Sequence, residues 1–167
     1  HDRERFIELG QFLRATPPSS VVTIARGSSD HAANYAAYLM MARLGHIVAS
    51  LPMSLVTLNK APLQVKNALA IAISQSGQSP DVVEPIRYFR EHGATTVALV
   101  NDAASPLAQG AQWTMPLHAG PELSVAATKS FITSLVAGAR LAGHWQNDPA
   151  FLAAIEELPQ VLHEATQ

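Results

Sequence analysis

Residues 68–74 read Ala-Leu-Ala-Ile-Ala-Ile-Ser, an apolar run in which no polar residue alternates with its neighbours. A strand with one wet face alternates with period two. A strand that does not alternate is covered on both faces, as central strands of parallel sheets are. This segment therefore calls for helices on both sides of a sheet, and the rest of the chain supplies the parts. Short apolar or β-branched stretches at 21–25, 47–50, 95–100 and 112–115 are the other expected strands. Helical patterns fill the gaps at 3–15, 29–44, 80–92 and 125–145, and a last helix follows Asp148-Pro149. In 3–15, Phe6, Leu9 and Leu13 recur at spacings of three and four; in 80–92, Val82, Val83, Ile86 and Phe89 form a stripe opposite charged residues. The segment 29–44 is apolar nearly all round and is expected to be buried on more than one side.

Strands alternating with helices give βαβ units with right-handed crossovers. The expected fold is α/β: a three-layer α/β/α sandwich around a five-stranded parallel, flavodoxin-like sheet, as one domain over 1–167. In that strand order the first and third strands are neighbours, and ligands bind at the switch point between them.

Composition sets the limits of function. Of 167 residues, 48% are apolar and 14% charged, which excludes a disordered chain. A formal charge of −2 without a basic cluster argues against a nucleic-acid partner. No apolar run reaches the roughly 18 residues of a membrane helix, so no membrane partner is expected and the expected location is cytoplasmic. The absence of cysteine removes thiolate catalysis, disulfides and cysteine-ligated metals. The seven histidines form no His-Glu-x-x-His pattern, so no metal is expected. Of these, only His31 and His118 fall near the presumed cleft, and each reads more simply as a structural or surface residue; His144 reads as exposed. No dinucleotide or P-loop glycine fingerprint is present, and no cofactor is expected. The chain opens on His1, not Met, and reads as a fragment of a larger protein.

Two hydroxyl-rich loops follow the strands that meet at the switch point: Arg26-Gly27-Ser28-Ser29-Asp30-His31 and Ser74-Gln75-Ser76-Gly77-Gln78-Ser79-Pro80. A strand that runs through a short polar loop into a helix presents unpaired N–H groups and the positive end of the helix dipole. Serine hydroxyls add neutral donors, so a phosphate can be held without a cluster of lysines or arginines, and with modest salt dependence. Gly27 and Gly77 allow positive φ or close backbone approach. Ser79 before Pro80 is also an ordinary N-cap pair, and Ser29 can be read the same way. A plain turn does not need the remaining hydroxyls. Asp81, in the first turn of the following helix, conflicts with a phosphate unless it points away. A third segment, Glu122-Leu123-Ser124-Val125-Ala126-Ala127-Thr128-Lys129, opens the long helix. Ser124 is a possible cap there. Lys129 stands where the helix dipole disfavours a cation, with Glu122 as its partner, as a surface residue or beside the ligand.

Together the three segments resemble the sugar isomerase (SIS) domain family. Residues 73–81 resemble its Ser-Gln-Ser-Gly-x-[Ser/Thr] phosphosugar loop, Gly27-Ser28-Ser29 its Gly-[Ser/Thr]-Ser loop, and 122–129 its Glu-x-x-Val-Ala-x-Thr-Lys segment. The last is typical of the isomerase half of glucosamine-6-phosphate synthase and of related two-SIS proteins. The resemblance implies a phosphorylated sugar as partner, with Ser74, Ser76 and Ser79 on the phosphate and Gln75, Ser29 and Val125 at the sugar; Ser28 and Lys129 complete the expected substrate-binding set. It also implies a second SIS domain or a homodimer partner. The catalytic residues stay unknown, because two-SIS enzymes carry them in or after the second domain; Glu122 is the one candidate base here. Without cysteine, the glutaminase chemistry of the synthase has no nucleophile. The function implied is the N-terminal half of a hexose- or hexosamine-phosphate isomerase, aminotransferase-like isomerase or deaminase acting on fructose 6-phosphate or glucosamine 6-phosphate, with the isolated chain inactive. The alternative is a phosphosugar-sensing module of a transcription regulator.

Overall fold

The computed structural model describes residues 2–122 and 127–165. In chain order the elements are α1 (Asp2–Ala15), β1 (Ser20–Ile24), α2 (Ser28–Leu44), β2 (Val48–Ser50), α3 (Ser54–Thr57), β3 (Ala68–Ser74), α4 (Pro80–Glu91), β4 (Thr95–Val100), α5 (Pro106–Gly110), β5 (Trp113–Pro116), α6 (Thr128–Gln146) and α7 (Pro149–Ala165). The strands form one parallel sheet in the order β2-β1-β3-β4-β5, the flavodoxin-like order. The switch point thus falls between β1 and β3, where Ile24 lies beside Ala72.

β3 is buried on both faces, and its two faces differ in size. Leu69, Ile71 and Ile73 join the core formed with α1, α2 and α6, through Phe6, Leu9, Leu13, Met40, Leu141 and Trp145. Ala68, Ala70 and Ala72 point the other way, into the core built by Val82, Val83, Ile86 and Phe89 of α4 and Leu107 of α5. Strand pleat turns the Ala/Leu-Ile alternation into one face of small side chains and one of large ones.

The helices and His144 differ from the sequence reading in detail. α2 is buried on more than one side, as expected: Ala32, Ala33, Ala36, Ala37 and Met40 pack against the sheet and α6, while Tyr35, Tyr38 and Met41 stay exposed. Its buried side is alanine-rich because α6 crosses closely: a Cβ on Gly138 would come within 2.9 Å of the Ala36 Cβ. α5 has no counterpart among the expected elements; at five residues it is too short for a hydrophobic period. Its signal is Ser105-Pro106, and the Ser105 hydroxyl accepts from the Ala108 N–H at 3.3 Å. α7 begins as expected, with the Asp148 carboxylate accepting from the Phe151 N–H at 3.0 Å; of Phe151, Ile155, Leu158 and Leu162, its residues at helical spacing, only Ile155 is buried. His144 is half-buried, with its ring stacked on Phe6. Burial, with Arg3, Arg140 and Arg14 nearby, holds its pKa below the ordinary value.

Candidate functional site

The parallel β1–β3 pairing brings both serine loops to the same end of the sheet, and the start of α6 closes a third side. Between them lies an open cleft of about 220 Å³. Gly27, Ser28 and Ser29 line it from the β1 loop, Ser74, Gln75 and Ser76 from the β3 loop, and Ala127, Ser130 and Phe131 from α6; Arg26 stands at the edge of the first loop. The structure thus gathers Ser28, Ser29, Ser74, Gln75 and Ser76 around one space.

The hydroxyls are arranged to donate. The Ser74 Oγ accepts from the Gly77 N–H at 3.0 Å, and the Ser76 Oγ accepts from the Gln78 N–H at 3.3 Å. A hydroxyl has one proton and two lone pairs, so each serine that accepts within the loop still has its O–H to give. Gly77 makes this turn possible at φ +63°. Across the cleft, Gly27 is the N-cap of α2 at φ 57°, with no side chain capping the helix. The first amides of a 17-residue helix, those of Ser28 and Ser29, therefore start at the cleft without a side-chain cap. Neutral hydroxyls and helix-start amides together favour an anion with several acceptor oxygens.

Ser79 lies apart from this set. It is the N-cap of α4 with extended backbone, yet its hydroxyl makes no cap bond. Instead it stands 3.5 Å from the Arg26 Nη1. The same nitrogen pairs with the Asp81 carboxylate, which answers the conflict posed by Asp81: its charge is turned toward a guanidinium. Arg26 escapes a reading of the sequence that looks for ligands only among serines and glycines; its signal is a cation directly before Gly27. Ser130 escapes it too. It is 3% exposed and visible in the sequence only as one more serine on a helix.

Glu122 and Lys129 do not pair with each other. The Glu122 Oε2 accepts from the Ser130 N–H at 3.0 Å and from its hydroxyl at 3.3 Å, so the carboxylate caps the first turn of α6. Lys129 is exposed and donates to the Pro121 carbonyl at 2.6 Å. Neither side chain lines the cleft. Val125 and Ser124 lie outside the described residues. His31 is exposed on α2, while His118 pairs with Asp2 and faces a different cleft, beside Phe6, Thr133 and Arg140. Among the described lining residues none is a carboxylate or a histidine, and Arg26 is the one charged side chain.

The family model for the SIS domain matches residues 16–142, a span that contains both serine loops, the sheet and most of α6. The chain belongs to the SIS domain family. Among curated proteins, this SIS domain is 32% identical over 163 residues to a glutamine–fructose-6-phosphate aminotransferase [isomerizing] of Thermus thermophilus, covering 98% of this chain and 27% of that protein. The chain thus spans about a quarter of the length of that relative. Among solved structures, it resembles a candidate phosphosugar isomerase from Silicibacter pomeroyi DSS-3, with a TM-score of 0.95 and 47% identity over 99% of this chain and 50% of that one. The C-terminal domain of glucosamine-fructose-6-phosphate aminotransferase from Francisella tularensis follows at a TM-score of 0.76 and 25% identity, covering 93% of this chain and 44% of that one.

Proposed function

We propose that this SIS domain binds the phosphate group of a hexose or hexosamine 6-phosphate, with fructose 6-phosphate and glucosamine 6-phosphate as the substrates of choice. The observation that carries this reading is the pairing of two loops, Gly27-Ser28-Ser29 and Ser74-Gln75-Ser76, around a single cleft with their hydroxyl protons and helix-start amides left to donate. A phosphate monoester offers three acceptor oxygens to such a set. In this reading Ser74 and Ser76, with Ser28, hold the phosphate, and Ser29, Gln75 and Ser130 face the sugar. Ser79 and Lys129 act from outside the cleft lining, and the family resemblance alone assigns Val125 to the sugar. The names of the aminotransferase relatives support fructose 6-phosphate as ligand.

We further propose that the domain is one half of an isomerase, aminotransferase-like isomerase or deaminase. Moving a proton between sugar carbons needs a positioned base. The described lining residues include none, and Glu122 is engaged as the cap of α6. In this proposal a second SIS domain or a second copy of the chain supplies the base, and this domain supplies the phosphate anchor. The fit of this chain to half of the Silicibacter pomeroyi protein supports that division.

Thermal denaturation with added ligands tests the binding claim. At a ligand concentration of about 100 Kd, stabilisation is about 2.7 kcal/mol, or roughly 5–10 °C in a domain of this size. Fructose 6-phosphate or glucosamine 6-phosphate is expected to give that shift, and fructose and glucosamine none. Equal responses to the phosphorylated and unphosphorylated sugars contradict the reading.

A further inference from the structure

We propose that Arg26 is a phosphate-binding cation held in reserve by Asp81, so that phosphosugar and Asp81 compete for one guanidinium. This rests on the phosphosugar reading above and adds to it a residue that sets affinity and its dependence on salt. Arg26 is the one charged side chain among the described residues that line the serine cleft. Its Nη1 pairs with Asp81 in the first turn of α4 and stands 3.5 Å from the Ser79 hydroxyl. The guanidinium thus covers the start of the helix that follows the Ser74–Ser79 loop, and it keeps a carboxylate occupied beside an anion site.

The pairing is cheap to break. The two side chains are 57% and 45% exposed, and exposed ion pairs of this kind contribute little. A phosphate dianion is the better partner. It carries more charge than a carboxylate, matches the planar donor fork of arginine, and in the cleft is already held by hydroxyls. Arg26 follows β1 closely and precedes Gly27, so its backbone is tied to the sheet, while its long side chain already borders the cleft and is mostly exposed rather than packed in place. Two consequences separate this from a merely structural ion pair. Removing Asp81 improves binding instead of harming it. Removing Arg26 weakens binding and also flattens its salt dependence, since the other described residues lining the cleft are neutral.

The experiment is calorimetric titration of glucosamine 6-phosphate and fructose 6-phosphate into the wild type and into Arg26→Gln, Arg26→Lys, Asp81→Asn and Ser76→Ala, each at low and physiological salt. Expected are an affinity loss of about ten-fold or more in Arg26→Gln, partial recovery in Arg26→Lys, and a roughly two- to five-fold gain in Asp81→Asn. The wild type should weaken with salt more steeply than Arg26→Gln. Thermal melts of the ligand-free variants should match the wild type, as befits an exposed pair. If Ser76→Ala weakens binding while Arg26→Gln and Asp81→Asn bind as the wild type does, the competition is overturned and the phosphosugar reading stands. If the wild type binds neither sugar phosphate, the reading fails and this inference with it.

Discussion

Gly77→Ala is expected to destabilise the domain by about 2–5 kcal/mol, among the largest effects a single methyl can have. Two independent costs add. Gly77 sits at φ +63°, where an L-residue with a Cβ loses about 1–2 kcal/mol. The methyl would also meet the Ser105 Oγ at 2.2 Å, the Ser105 Cβ at 2.6 Å and the Val100 Cγ2 at 2.9 Å. Overpacking a filled site costs a further 1–3 kcal/mol or so, roughly. Ser105 cannot simply yield, because it is 1% exposed and its hydroxyl caps α5 through the Ala108 N–H. The Leu107 N–H also bonds the Gly77 carbonyl at 3.1 Å. The β3 loop and α5 are thus one packed unit, and disturbing it moves Ser74 and Ser76 off the cleft. Urea and thermal unfolding check the stability, with a fall in Tm of about 5–15 °C expected, and sugar-phosphate binding should be lost in parallel. A variant with wild-type melting and binding contradicts this account of the loop.

Gly10→Ala is expected to give a net cost of about 1–2 kcal/mol, against the usual sign for a helix. In an exposed helix interior, alanine is better than glycine by about 1 kcal/mol. Here a Cβ would lie 2.5 Å from the carbonyl oxygen of His144 and 2.7 Å from its carbonyl carbon. Both atoms belong to the backbone of α6, so relief requires the two helices to separate. Phe6, Leu9 and Leu13 share a buried cluster with Leu141 and Trp145, and separation would open it. It would also pull Arg14 from the His144 and Trp145 carbonyls it bonds. Chemical denaturation of the variant decides the matter by sign: a loss supports close packing of α1 on α6, and a gain of the usual helix increment contradicts it.

The layer order of the fold is legible because β3 announces it. A run with no alternation demands cover on both faces, and the helical periods on either side supply that cover. The serine loops are legible too, since their hydroxyls outnumber what a turn needs. Three parts of the site are not, for different physical reasons. Glu122 has two plausible destinies in the sequence, a partner for Lys129 or a group at the ligand. In the structure it does not pair with Lys129, because the amide of Ser130 is a better-placed donor than a flexible ammonium. Arg26 looks like a loop residue because its role depends on Asp81, which lies 55 positions away and is brought near only by the β1–β3 pairing. Ser79 matches both a cap and a phosphate ligand, and its hydroxyl neither caps α4 nor lines the cleft. The exposed tyrosines of α2 make a related point: composition reports how apolar a helix is, while burial depends on which neighbours the topology supplies.

Ser76→Ala tests most directly whether the Ser74–Ser76 loop binds the phosphate of a sugar phosphate. Ser76 is exposed, and its hydroxyl bonds the Gln78 N–H at 3.3 Å, a local contact within the loop, so the variant should fold as the wild type does. A hydrogen bond to a charged group is worth about 1.5–3 kcal/mol, or roughly 10- to 150-fold in affinity. Calorimetric titration with glucosamine 6-phosphate and fructose 6-phosphate is expected to show that loss in Ser76→Ala against a wild type that binds at least one of them. Unchanged affinity in a variant with a native melting curve would contradict the assignment of this loop as the phosphate site.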